Sequence, residues 1–152
     1  MQIRRSAIVT LSAVALTFCG VATAPAAYAA TPHCHATSFL HEGSEYNEMP
    51  TATPNDWNWR CLLTEGDGYA GGDQQHAVWV LQRALIQCYG QNLGSAGADG
   101  KYGTRTAEGV RNVQRFHNQT QNAGLAVDGQ YGPNTAYYME FVNTQNRCWT
   151  LS

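Results

Sequence analysis

Ala98-Asp99-Gly100-Lys101-Tyr102-Gly103-Thr104-Arg105-Thr106-Ala107 returns 29 residues later as Val127-Asp128-Gly129-Gln130-Tyr131-Gly132-Pro133-Asn134-Thr135-Ala136. Both stretches read as the same local device. The Asp can bond its own backbone in a turn, and the Gly after it tolerates positive φ. The Tyr buries a ring and keeps a polar tip. The second Gly ends the turn and opens a helix, with Thr soon after. Pro133 suits a first helical position, where its missing N–H costs nothing. Each copy is a turn-then-helix unit, and two copies behind a leading helix make a three-helix body with approximate internal symmetry.

Upstream, a helix is expected from about Asp73, a good N-cap residue. Val78, Leu81, Leu85 and Cys88 recur at the spacing of one helical face. Gly90 ends it. The second helix should run from about Thr104 to His117 with Ala107, Val110, Val113 and Phe116 as its apolar stripe. The third starts at Pro133 and covers Ala136, Met139 and Val142. His76 and His117 are expected on helix faces. The fold class is mainly α.

Further outward the composition changes. Residues 31–75 hold one Arg against seven acids, whereas residues 76–152 hold six bases against four acids. Pro32, Pro50 and Pro54 punctuate a stretch poor in aliphatic residues, and Gly66-Asp67-Gly68-Tyr69-Ala70-Gly71-Gly72 is a flexible connection. The expected organisation is an irregular acidic arm with its Gly-rich connection over 31–72, a helical domain over 73–148 and a tail over 149–152. Residues 1–30 read as an export leader: Arg4 and Arg5, an apolar run from Ala7 to Gly20, and Ala27-Tyr28-Ala29 as a small-x-small cleavage pattern. Of nine bases the leader takes two, leaving seven against 11 acids and a mature charge of −4. That balance argues against a nucleic-acid partner. No later run of 18 apolar residues could span a membrane. A secreted monomer is the expected state.

Of five Cys, Cys19 leaves with the leader, since the bulky Phe18 before it does not suit a lipid-anchor processing site. Cys34, Cys61, Cys88 and Cys148 remain, an even number in an exported chain, so two disulfides are expected. Of three possible pairings, Cys34–Cys61 and Cys88–Cys148 keep each bridge inside one segment.

Catalytic signatures are weak. His33, His35 and His41 lie near Glu42, Glu45 and Glu48. A small metal-dependent amidase or peptidase built on them is one alternative. However, no His-Glu-x-x-His occurs to supply zinc ligands in the required geometry. Asp99 and Asp128 are explained by turn chemistry rather than as a glycosidase pair. Neither a Gly-x-Ser-x-Gly elbow nor a phosphate-cradling Gly loop occurs. The expectation is no metal, no cofactor and no catalysis. A secreted inhibitor or signal whose acidic arm contacts a protein is a second alternative.

The repeats resemble the peptidoglycan-binding domain of bacterial wall hydrolases, a three-helix module with paired Asp-Gly-x-aromatic-Gly-x-x-Thr motifs. The resemblance begins near Leu62-Leu63 and Gly66 and passes through Val78 and Leu81-Gln82, the family's Val-x-x-Leu-Gln. It takes in Val113-Gln114 and Gly124-Leu125-Ala126-Val127-Asp128-Gly129 before the second helix start. It covers about 80 residues. Val113 replaces the usual Phe, and the stretches Asp67–Gln75 and Asn118–Asn122 are longer than the pattern. The Cys pair and Cys88-Tyr89-Gly90 resemble the actinobacterial secreted versions. The resemblance implies a non-catalytic wall-binding protein whose partner is a peptidoglycan stem peptide or glycan. The expected cleft lies between the two repeat turns and the helices they open, lined by Tyr102, Arg105, Gln114, Tyr131, Asn134 and Tyr137. Lys101, Arg105, Arg111 and Arg115 would give it a cationic rim.

Overall fold

The computed structural model describes residues 30–42, 45–55 and 57–150, so the expected leader, with Cys19, falls outside the described residues but for Ala30. The order is β1 (Ala36–Glu42), β2 (Glu45–Thr51), α1 (Gly72–Gln87), α2 (Thr104–Gln121), α3 (Pro133–Tyr138), β3 (Phe141–Val142) and β4 (Cys148–Trp149).

The three helices form as the repeat requires, with corrections at their ends. α1 is capped by Gly71 rather than Asp73, which instead sits in the first turn, where its charge suits the helix dipole. At its other end Gly90 adopts φ +63, and the N–H groups of Gly90 and Gln91 reach back to the carbonyls of Ile86 and Leu85. α2 runs past His117 to Gln121 and stops on Asn122 in the left-handed region. Its buried face is Thr106, Ala107, Gly109, Val110, Val113, Gln114 and His117. Phe116, expected in the stripe, is half exposed, and His117 takes the inward place. α3 has Pro133 at its start but ends at Tyr138, because Met139 turns extended at ψ 143. Phe141 and Val142 therefore form β3, paired antiparallel with β4 (Phe141 opposite Trp149, Val142 opposite Cys148).

The arm is not irregular, contrary to expectation. β1 and β2 form an antiparallel hairpin with Ala36 opposite Thr51 and Phe39 opposite Glu48. Ala36, Ser38, Asn47, Met49 and Thr51 face inward and are buried, while Phe39 and Tyr46 face out. That is the period of two of a half-buried strand. Because four of the five inward residues are small or polar, hydrophobicity alone does not reveal the alternation. The hairpin packs against α1. Met49, Ala52, Cys61 and Leu63 join Val78, Leu81, Leu85, Val110, Met139 and Phe141 in one core.

Two disulfides staple this body, Cys34–Cys61 and Cys88–Cys148, across sequence separations of 27 and 60 residues. On the loop-entropy account each contributes about 3–4 kcal/mol. The first closes the base of the hairpin segment. The second ties the end of α1 to β4.

Candidate functional site

Each repeat turn is held by one buried glutamine. The Gln82 carboxamide donates from Nε2 to Asp99 Oδ1, to the Lys101 carbonyl and to Thr106 Oγ1, each at 3.0 Å. Its Oε1 accepts the Gly100 N–H at 2.7 Å. Gln114 repeats this on the second turn: Asp128 Oδ1 at 2.9 Å, the Gln130 carbonyl at 3.0 Å, Thr135 Oγ1 at 3.2 Å, and the Gly129 N–H at 3.0 Å. Both amides are buried, at 1% exposure. Asp99 and Asp128 also accept the backbone N–H two residues on, each at 2.9 Å. This is the Asx turn that an Asp-Gly pair favours. Burial works against the Asp99 carboxylate, but the Gln82 and backbone hydrogen bonds and the Lys101 charge outweigh it and hold its pKa below the usual range.

A third turn of the same kind precedes α1. Asp67 Oδ1 accepts from Gln74 Nε2 at 3.1 Å, and Gln74 Oε1 accepts the Gly68 N–H at 3.1 Å. Gly68, Gly100 and Gly129 share positive φ values of +83, +74 and +77. The Gly66–Gly72 stretch is thus an anchored turn, not a flexible connection. Its signal in the sequence was Asp67-Gly68, but the clamping Gln comes from the following helix rather than the preceding one.

The turns are stitched together by their aromatic residues. Tyr102 exchanges backbone bonds with Gly66 and Asp67, and Tyr131 does so with Leu63. The Tyr102 hydroxyl donates to the Gly129 carbonyl at 2.7 Å. Both rings have 0% exposure, and burial pushes both phenol pKa values far above the usual range.

With the turns locked from below, two hollows open above them. The first, about 290 Å³, is walled by Tyr69, Gly94, Ser95, Asp99, Lys101 and Arg105. The second, about 130 Å³, is walled by Leu125, Ala126, Asp128, Gln130, Pro133 and Asn134. They share no lining residue and occupy equivalent places in the two repeats. A hollow of about 340 Å³ lies beyond the first turn, between Gln75, His76, Trp79 and Asp99. In its wall the His76 ring stacks on Trp79 with centroids 5.3 Å apart, and the Arg83 guanidinium lies 4.8 Å from the Trp79 centroid. Glu48 of β2 holds His76 Nε2 at 2.6 Å, so the hairpin sets the orientation of that ring.

The six expected cleft residues therefore separate. Arg105 lines the first hollow and Asn134 the second. Tyr137 is exposed on α3, edge-on to Tyr138, and lines neither. Tyr102 and Tyr131 are closed off from solvent, whereas Gln114, at 1% exposure, lines the floor of the second hollow with its amide engaged by the Asp128 turn. Sequence reasoning missed Tyr69, Trp79 and the Gly94–Gly97 loop, which lie outside the repeat motif. Of the rim, Arg111 and Arg115 are both engaged by Glu108, at 3.4 and 3.0 Å. Arg105 and Lys101 have no acidic partner within 4.0 Å among the described residues.

Among the described residues, His33 and Glu48 of the arm are turned to separate partners. His33 Nδ1 bonds Asp67 at 2.9 Å, whereas Glu48 serves His76. The side chains of His41, Glu42 and Glu45 lie outside the described residues. One group with metal-ligand spacing joins Cys88, Cys148 and Glu140, but both sulfurs are in a disulfide and offer no thiolate. His117 lies on the buried face of α2, in a relay. The Glu140 N–H donates to Tyr89 Oη at 2.7 Å, Tyr89 directs its proton to His117 Nε2 at 3.0 Å, and His117 Nδ1 faces Gln121 Oε1 at 3.3 Å. That network selects the neutral tautomer protonated at Nδ1. Burial lowers the His117 pKa, against smaller opposing effects of Gln121 and Glu140.

No helix among the described residues is long and apolar enough to cross a membrane. No curated protein and no solved structure matches the chain. Residues 74–139, from the first turn of α1 through the end of α3, match the family model described as "Putative peptidoglycan binding domain". A domain of this kind is a binding module rather than a catalyst, so this part of the chain is similar to a peptidoglycan-binding domain, which supports a non-enzymatic role.

Proposed function

We propose that the chain is an exported, monomeric, non-catalytic protein that adsorbs to bacterial peptidoglycan through the hollows above its Asp-Gly turns. The observation that carries this reading is the pair of buried glutamine clamps within the matched residues 74–139. They fix each turn from the inside and leave a preformed, open hollow outside it. Preorganisation of this kind lowers the ordering cost of binding. Arg105 and Asn134 offer hydrogen bonds to stem peptide or sugar groups, and Tyr137 offers an exposed ring nearby in α3. The leader-like residues 1–30 and two disulfides support the extracellular or wall-associated location. Shallow hollows of this size support binding of order micromolar or weaker per module, strengthened where the polymer presents many sites.

Co-sedimentation with purified sacculi tests the reading. Retention in the pellet at low salt is the expected result, and a protein left in the supernatant overturns it. Arg105→Ala and Tyr137→Ala should each reduce retention; unchanged retention would remove those residues from the contact surface.

A further inference from the structure

The two hollows are built on the same frame but carry opposite charge. Around the first turn the lining includes two bases, Lys101 and Arg105, and one acid, Asp99. Around the second, the positions of Lys101 and Arg105 hold Gln130 and Asn134, and the only ionisable lining residue is Asp128. The frame itself is unchanged, since Gln82 and Gln114 make the same four contacts in both copies. The charge difference is therefore not something the fold requires. Of the three ionisable groups in the first hollow, Asp99 has its Oδ1 engaged by Gln82 and by the Lys101 N–H. Both cations are exposed and free of acidic partners within 4.0 Å among the described residues. Lys101 Nζ stands 5.8 Å from the centre of the Tyr69 ring, which holds it over the hollow. Arg105 lies along Gly94, so closely that a Cβ there would fall 2.9–3.2 Å from its side-chain atoms. The absence of a side chain at Gly94 is what lets Arg105 approach this wall so closely.

We infer that the first hollow is a carboxylate subsite, with Lys101 and Arg105 as its specificity-determining residues, and that the second takes uncharged groups. This rests on the wall-binding reading and sharpens it. The ligand is the acidic form of a stem peptide, one with a free carboxylate, in preference to the same peptide with its carboxylates amidated. A guanidinium and an ammonium that wall one hollow, outnumber its single carboxylate, and have no acid within 4.0 Å among the described residues make charge-assisted bonds to such a group. An amide offers them only a neutral oxygen and adds an N–H that neither can accept.

The test uses the purified full chain and two synthetic stem peptides of one sequence, one with free carboxylates and one fully amidated, titrated by NMR. The acid form should bind at least about tenfold more tightly, shifting Tyr69, Ser95 and Arg105 resonances. Lys101→Gln and Arg105→Gln should each remove most of that preference. Both side chains are exposed, so neither change threatens the fold. The double change Gln130→Lys with Asn134→Arg should create a second acid-selective site. Equal binding of the two peptides overturns the inference, as does a preference that both neutral variants retain. Sacculus retention is measured on the same preparation. Retention together with equal peptide binding rejects the carboxylate subsite alone. Acid-selective binding without retention upholds the subsite and rejects wall adsorption.

Discussion

Tyr102 donates its hydroxyl proton to the Gly129 carbonyl at 2.7 Å, whereas Tyr131, its counterpart one repeat later, ends in a buried hydroxyl with no hydrogen-bond partner among the described residues. The Tyr102 hydroxyl reaches the next Asp-Gly turn, whereas the Tyr131 ring packs edge-on to Phe141 with centroids 6.1 Å apart. The two phenols should therefore respond oppositely to the same change. Tyr102→Phe leaves a buried carbonyl without its donor and should cost about 1–3 kcal/mol. Tyr131→Phe removes an unpaired polar atom and should leave stability unchanged or raise it. Urea unfolding of both variants checks this. Equal losses would mean that the Tyr131 hydroxyl has a partner after all.

Gln82 and Gln114 should be the least replaceable polar residues in the domain. An isosteric Gln82→Leu or Gln114→Leu strands the Gly100 or Gly129 N–H and one side of the Asp carboxylate, with an expected loss of about 3 kcal/mol in each case. Gln82→Glu keeps the acceptor for Gly100 but sets a second carboxylate against Asp99. Its loss should be larger at neutral pH and shrink as acid protonates the pair. Denaturant midpoints at pH 7 and pH 5 separate these outcomes, and a Gln82→Glu deficit independent of pH would place Asp99 elsewhere.

The turn-and-helix frame was legible because its signals are local. Asp99-Gly100 and Asp128-Gly129 dictate turn chemistry within a few residues, and Val78, Leu81 and Leu85 mark one helical face. What escaped reading depends on partners distant in the chain. The β1–β2 alternation runs through Ala36, Ser38, Asn47 and Thr51, whose burial comes from α1 rather than from their own hydrophobicity. Gln114 was legible as important but not as interior. A polar side chain shows its role only once Asp128, Gln130 and Thr135 surround it. Phe116 and His117 exchanged places in the stripe because the Tyr89–Glu140 relay makes a polar site inside the domain. The hollows were the least legible part, since the Gly94–Gly97 loop that walls the first carries no motif.

His117 should make the fold sensitive to mild acid. Its pKa lies below the ordinary value of about 6.5 in the folded state. The unfolded chain therefore takes up a proton that the native state refuses. Stability from this group is fully present above pH of about 6.5 and is lost as pH falls from there through the lowered native pKa. His117→Gln keeps an acceptor for Tyr89 and does not titrate. The variant should show a flatter dependence of urea midpoint on pH between about 7.5 and 5, even where its absolute stability is lower. A slope identical to that of the parent would show that His117 is not the titrating group.

Gly68 offers the sharpest test of how closely the first two Asp-Gly turns are pressed together. An added Cβ there would lie 2.0 Å from the Gly100 carbonyl oxygen, a backbone atom that cannot swing aside. Its φ of +83 adds strain for any L side chain. Gly66 is the matched control, with φ +102 and nothing within 4 Å of the same added atom. Gly66→Ala should cost only the conformational strain, about 1–2 kcal/mol. Gly68→Ala must also push the turn of Asp99 and Gly100 off the Gln82 clamp, and should cost more than about 3 kcal/mol. Because Tyr69 and Asp99 both wall the first hollow, any Gly68→Ala protein that folds should also lose the tighter binding of the acidic stem peptide. Gly66→Ala should retain it. Thermal unfolding and the same NMR titration read both effects, and comparable losses for the two glycines would show that the turns are not in contact.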